Sequence, residues 1–307
     1  MQPLSRRRFL TIAACAGVFA PGASAAAGVT QWRETALGAH VTLTLSHPDA
    51  ETIAERVFAE LHRLETVFSL YREDTALVAL NRDGHLPAPP FELLECLGLC
   101  GRVHRATGGA FDPTVQPLWR AHARQLTNGA PDPEGIEQAR ALVGWQGVAF
   151  DSGSVRLARP GMALTLNGIA QGYIADRVAA MLRREGLSEV MVDTGELHAL
   201  GGHPGGGDWP VTLQAPDGDV LGRAGLRDAA LATSAPAGMR LGGTGPGHIL
   251  NPATGRPTGA RWRLVSVTGP SAALADALST AFCVMDDRTA MEQALAAFPG
   301  MGLMHLS

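Results

Sequence analysis

The chain has 307 residues, 46% of them hydrophobic, and a formal net charge of −4 from 25 basic and 29 acidic side chains. That length supports one large domain or two modest ones around a buried core, and the excess of acid argues against a nucleic-acid partner. Every basic residue is Arg, which excludes a phosphate-binding loop ending in Gly-Lys-Ser/Thr, a Schiff-base lysine and a protein-kinase lysine.

Ser5-Arg6-Arg7-Arg8-Phe9-Leu10 forms a twin-arginine pattern. A short apolar stretch over 11–20 and the small residues Ala23-Ser24-Ala25-Ala26-Ala27 follow, as a cleaved signal requires. Residues 1–25 are therefore expected to direct twin-arginine export to the periplasm, leaving 26–307 as the mature domain. A lipobox ending at Cys15 is the alternative, with an unusually short hydrophobic segment before it. The leader carries three of the 25 basic residues and no acid, so its removal leaves 22 against 29, a charge of −7. No run reaches the roughly 18 apolar residues of a membrane span.

Val41 to Leu45 alternates apolar and hydroxyl residues, a half-buried strand. Ser46, Pro48 and Asp49 open a helix whose core stripe is Ile53, Val57, Leu61 and Leu64. A second helix is expected over 91–107, between Pro89-Pro90 and Gly108-Gly109. Cys96 and Cys100 stand four apart on it, a spacing of neither a redox pair nor a zinc site; with Cys283 they are expected to be buried thiols. Residues 127–135 are predicted as a loop, 148–166 as a hairpin turning at Asp151-Ser152-Gly153-Ser154, and 170–185 as a helix closed by Gly186. A strand over 189–193, a flexible solvent loop over 201–207, strands within 211–231 and 263–268, and helices near 271–286 and 287–298 complete the chain. Strands and helices do not alternate regularly, so the fold class is α+β with mostly antiparallel sheets and packed helices.

Five blocks place small, polar or aromatic residues where the chain turns or a helix begins: Phe68 to Arg72, Gly108 to Thr114, Asn167 to Tyr173, His248 to Gly255, and Ala275 to Thr280. Asp276 and Thr280, four apart on a helix, stack two oxygens on one face. Such a pair suits a hard cation, though an Asp with a Thr one turn later is also a common solvated helix face. Gly168-Ile169-Ala170-Gln171-Gly172 has no bulk before its helix, so its backbone can approach a diphosphate or a metal; a plain strand-to-helix turn is the other reading.

In this order the blocks resemble the FAD:protein FMN transferases, the ApbE family, from about Leu37 to Met285. The resemblance implies two lobes around a flavin-nucleotide cleft shared by FAD and Mg2+. It also implies transfer of the FMN half of FAD to a threonine or serine hydroxyl of a target flavoprotein, with AMP released. By the same resemblance Asp276, Thr280 and the Gly168 carbonyl would hold magnesium, and Tyr71 would stack on the isoalloxazine ring. Leu37, Ala110, Phe111, Asp112, Thr165, Gln171, His248 and Ile249 would contact the nucleotide. Many members carry Asp where this chain has Thr165 and Lys or Glu where it has Gln171; some carry an acid in place of Ser279. The Thr-Leu-Asn-Gly-Ile-Ala-Gln-Gly version resembles a branch associated with nitrous-oxide respiration. That branch implies a NosR-type membrane flavoprotein as target, with an acceptor motif like Asp-Gly-x-Thr-Gly-Ala-Thr. His248 is a candidate general base, since imidazole titrates near neutrality; a structural histidine bonded to backbone is equally open. FAD hydrolysis in the same site and a periplasmic flavin-binding protein without turnover are the rival readings.

Overall fold

The structure, a computed structural model, describes residues 28–36, 38–241, 245, 247–259 and 261–307. The expected export signal, Cys15 and Leu37 lie outside the described residues. In chain order the elements begin with β1 (Thr30–Ala36), β2 (Ala39–Leu45), α1 (Ala50–Phe68), α2 (Ala76–Asp83), β3 (His85–Pro87) and α3 (Phe91–Ala106). Then come α4 (Gln116–Asn128), α5 (Pro133–Arg140), β4 (Val148–Phe150), β5 (Ser154–Leu157), α6 (Ala170–Arg184), β6 (Val190–Asp193) and β7 (Leu197–Leu200). β8 (Trp209–Gln214), β9 (Val220–Leu226), β10 (Ala230–Ser234), β11 (Val265–Gly269), α7 (Ala272–Phe282), α8 (Arg288–Ala296) and β12 (Gly302–Leu306) follow.

The main sheet has seven strands in the order β1-β2-β6-β7-β10-β11-β12. Its neighbouring strands pair antiparallel throughout, as the α+β expectation requires. Alternation along β6 shows how the sheet is covered. Val190 and Val192 face the large helical core, whereas Met191 faces a smaller core with Trp209, Val211 and Leu213 of the β8–β9 hairpin. Helix α7 packs on β10 and β11 and against α6 and α3. It is buried nearly all round because its residues are small: Ala273, Ala275, Ala277 and Ala281 admit neighbours on every side. A third, separate cluster joins Leu118, Ala121 and Ala139 of α4 and α5 to Leu250. It builds the opposite wall of the cleft described below.

Several expectations are corrected in extent. The loop predicted over 127–135 is the end of one helix and the start of another. Gly129 takes the left-handed conformation that ends α4, while Asp132 accepts from Gly135 N and Pro133 opens α5. These residues serve as caps, which at sequence level have the composition of a loop. The hairpin over 148–166 stops pairing at Leu157. Beyond it Leu164 exchanges two hydrogen bonds with the Asn81 amide, at 2.8 and 2.6 Å, in place of a strand partner. The glycine loop after β7 is tied down: Arg227 Nη2 donates to Gly207 O at 2.6 Å. The three thiols are buried.

The tightest join in the fold is between α6 and α7. A Cβ on Gly172 would lie 2.2 Å from the Ala272 carbonyl oxygen, a backbone atom that cannot swing away. Gly98, inside α3, would meet nothing within 4 Å. Gly172→Ala should therefore destabilise the protein by about 1–3 kcal/mol through overpacking. Gly98→Ala should stabilise it by about 0.5–1 kcal/mol through helix propensity. Denaturant titration of both variants checks the opposite signs.

Candidate functional site

The helix α6 begins where the backbone bends at Gly168, and α7 crosses that bend. A Cβ on Gly168 would stand 3.0 Å from Thr280 Oγ1, so the glycine backbone and the threonine hydroxyl abut. One turn nearer the α7 N-terminus, Asp276 Oδ2 receives Gly172 N at 3.5 Å. The last third of the chain and the glycine bend are thus in contact. Their junction forms the floor of a cleft lined also by Tyr71, Ala110, Phe111, Asp112, Thr165, Gln171, His248 and Ile249. Every described site residue singled out from the sequence is in this one cleft.

The walls are held by local bonds. Asp112 Oδ1 accepts from Thr114 N at 2.8 Å and from its hydroxyl at 2.6 Å, and Oδ2 accepts from Trp145 N at 3.2 Å. Both of its oxygens are used to shape the turn after α3. Asn167 Nδ2 donates to Tyr71 Oη at 3.2 Å, across the mouth of the cleft; burial raises the Tyr71 phenol above its usual range. On the far wall His248 Nδ1 pairs with the Met239 carbonyl at 3.1 Å. Donation there leaves Nε2 as the lone-pair nitrogen, and burial lowers the imidazole below its ordinary 6.5, so it is neutral at pH 7. Gln171 Nε2 is buried with no hydrogen-bond partner. An orphan donor facing a cleft is costly unless a ligand accepts from it.

Sequence reasoning missed Glu196, Thr233 and Ser234, which also line the cleft. Glu196 follows the Thr194-Gly195 turn between β6 and β7, so an acid beside a strand-leaving glycine was the available signal. Ser234 had none: its Oγ reaches Ser279 Oγ at 2.8 Å and Thr280 Oγ1 at 3.4 Å only because β10 runs beside α7. Glu196 and Asp276 are 7% and 3% exposed and adjacent. Both carboxyls are pushed up, chiefly by desolvation, and Glu196 further by the Asp276 charge. No Arg or His side chain pairs with either among the described residues.

Two desolvated carboxyl groups, a hydroxyl and the adjoining Gly168 backbone make an oxygen-rich environment short of positive charge. That fits a hard divalent cation and offers nothing to softer metals, which prefer imidazole or thiolate. No group of three His, Cys, Asp or Glu side chains able to cage a metal occurs among the described residues. Magnesium commonly takes one or two carboxylates and completes its shell with water and substrate phosphate, and Asp276 and Glu196 are two acids within this cleft.

The model of the ApbE family matches residues 37–301. An FAD:protein FMN transferase of Treponema pallidum is 30% identical over 292 residues, covering 84% of this chain and 78% of that protein. The Vibrio cholerae protein of the same name is 28% identical, covering 81% and 78%. Among solved structures, the flavin transferase ApbE from Vibrio cholerae superposes with a TM-score of 0.76 at 25% identity, over 91% of this chain and 97% of that one. Apo flavinyl transferase ApbE of Pseudomonas stutzeri gives 0.74 at 28% identity, over 88% and 87%.

Beside the cleft, burial pushes the Asp193 carboxyl from 3.8 up to about 6, against the hydrogen bond it receives from Gly195 N. Between those values the folded chain keeps a proton the unfolded chain has released, so this group's contribution to stability falls as pH rises through the window. Asp193→Asn keeps an oxygen for Gly195 N and removes the titration. The variant should be more stable by about 1–2 kcal/mol at pH 7.5, with the gain gone at pH 4. Thermal melts at both pH values check it.

Proposed function

The chain belongs to the ApbE family, and from that membership we infer that it is an FAD:protein FMN transferase. We further propose that it is magnesium-dependent and modifies a threonine or serine hydroxyl of a flavoprotein outside the cytoplasm. The twin-arginine pattern at Ser5 to Leu10 supports a periplasmic destination. The Thr165 to Gly172 sequence supports a NosR-type target with an acceptor like Asp-Gly-x-Thr-Gly-Ala-Thr. The single observation carrying the site assignment is the contact of Gly168 with Thr280 beside Asp276 on the cleft floor.

The chemistry follows from what each side chain can do. Tyr71, held by Asn167, presents a ring face for the isoalloxazine, which favours offset stacking. Gln171 Nε2 donates to a diphosphate oxygen and so loses its orphan status. Asp276, Thr280 and the Gly168 carbonyl would hold the cation, and bound magnesium would supply neutralisation of the charge that develops as AMP leaves. The acceptor hydroxyl attacks the FMN-side phosphorus in line. A new phosphorus–oxygen bond forms, and the bond to the bridging oxygen breaks, releasing AMP with that oxygen. His248 Nε2 takes the hydroxyl proton, as a neutral imidazole can.

Incubation with FAD, magnesium and an acceptor carrying the motif should give covalent flavin fluorescence on the acceptor in a denaturing gel. Asp276→Ala should abolish labelling; full labelling by it contradicts the cation assignment. His248→Ala should slow labelling by about 10²–10⁴-fold. In the unsubstituted protein the rate should fall as pH drops through a value below 6.5, and this acid limb should be missing from the residual rate of His248→Ala.

A further inference from the structure

Helix α7 carries both side-chain oxygens of the cation site, so its axial register against α6 fixes their geometry. The two helices meet along matched stripes four residues apart. On α6 and its leading bend the stripe is Gly168, Gly172 and Asp176; on α7 it is Ala272, Asp276 and Thr280. Gly168 faces Thr280 and Gly172 faces Ala272 and Asp276. At the far end Asp176 closes the series.

Asp176 accepts four hydrogen bonds. Oδ1 takes Ala272 N at 2.7 Å and His198 Nδ1 at 2.8 Å; Oδ2 takes the Ser271 hydroxyl at 2.7 Å and Ala273 N at 3.1 Å. Ser271 Oγ accepts from Leu274 N at 3.3 Å, and Ser271 O from Ala275 N at 3.0 Å. Four of these six satisfy the N–H groups of the first four residues of α7, Ala272 to Ala275, the last through the ordinary bond four residues back. Two of the four are supplied by a carboxylate on another helix, whose charge also suits the helix dipole. His198 stands on β7 two residues beyond Glu196, so the same carboxylate also pins the strand that brings Glu196 to the cleft.

We propose that Asp176 is a positioning residue for the cation site, setting the register of α7 so that Asp276 and Thr280 meet the Gly168 carbonyl. It touches neither cation nor nucleotide and acts through α7. This rests on the magnesium reading of the cleft. In Asp176→Asn one oxygen becomes an NH2 group facing backbone N–H donors, so the pin is broken with little change of volume.

The test is Mn2+ binding to the full mature chain, followed by electron paramagnetic resonance, with thermal melts alongside. Asp176→Asn should bind Mn2+ at least tenfold more weakly. Ser271→Ala, which removes one of the four Asp176 bonds together with the cap on Leu274 N, should bind a few-fold more weakly. Leu213→Ala, in the separate core under the β8–β9 hairpin, should melt lower with unchanged Mn2+ affinity. Unchanged affinity in both Asp176→Asn and Ser271→Ala, with the parent binding normally, overturns the positioning role. If Asp176→Asn does not fold, Ser271→Ala alone decides. A parent that binds no Mn2+ instead overturns the cation reading itself.

Discussion

The contact of two helix backbones at Gly168 and Gly172 is the constraint from which the site is built. Any side chain at Gly172 would drive Ala272 away, and any at Gly168 would crowd the Thr280 hydroxyl. With both positions bare, α7 lies close enough for its carboxyl and hydroxyl to meet the glycine backbone. The small residues along α7 extend the same logic to its other faces, since β10 and β11 can approach only if alanine lies between. Closeness here is a property of absent atoms, and the seven-stranded sheet supplies the rigid base against which it is held.

On this floor the chain gathers two acids that no cationic side chain among the described residues pairs with. Asp276 and Glu196 are buried side by side, and the neighbouring hydroxyls of Ser234, Ser279 and Thr280 bond to one another. A protein core left in this condition carries a cost in stability, as desolvated carboxyls do. The arrangement makes physical sense for a site completed from outside, and membership of the ApbE family gives that site its chemistry.

How much could be read from sequence depended on whether a signal was local. The helices α1, α3 and α6 announce themselves through apolar spacing and through Pro or Gly at their ends. The pairing of Asp276 with Thr280 follows from helical periodicity alone. The hairpin α4–α5 was hidden because its caps, Gly129, Asp132 and Pro133, have loop composition, and tertiary packing on Leu250 rather than a long apolar stripe holds it. The strands β3 and β7 carry too few residues for a period to show, while β1 is mostly exposed and β12 half-buried throughout, so neither shows an alternation of buried and exposed faces. Glu196 and Ser234 reach the cleft through strand pairing across more than thirty positions, which no short window contains.

The lining of the cleft holds one further consequence. Among its described residues none is arginine, although every cation-bearing side chain of the chain other than histidine is arginine. A dianionic pyrophosphate entering alone would meet two acidic side chains, with neutral donors such as the Gln171 amide to greet it. A divalent ion entering alone would complete its shell with water. On the magnesium reading proposed above, electroneutrality would therefore couple the two guests, each raising the affinity of the other by an equal factor, as thermodynamic reciprocity demands. On that reading the cation would seat by itself, and the arrival of the dinucleotide would tighten its hold.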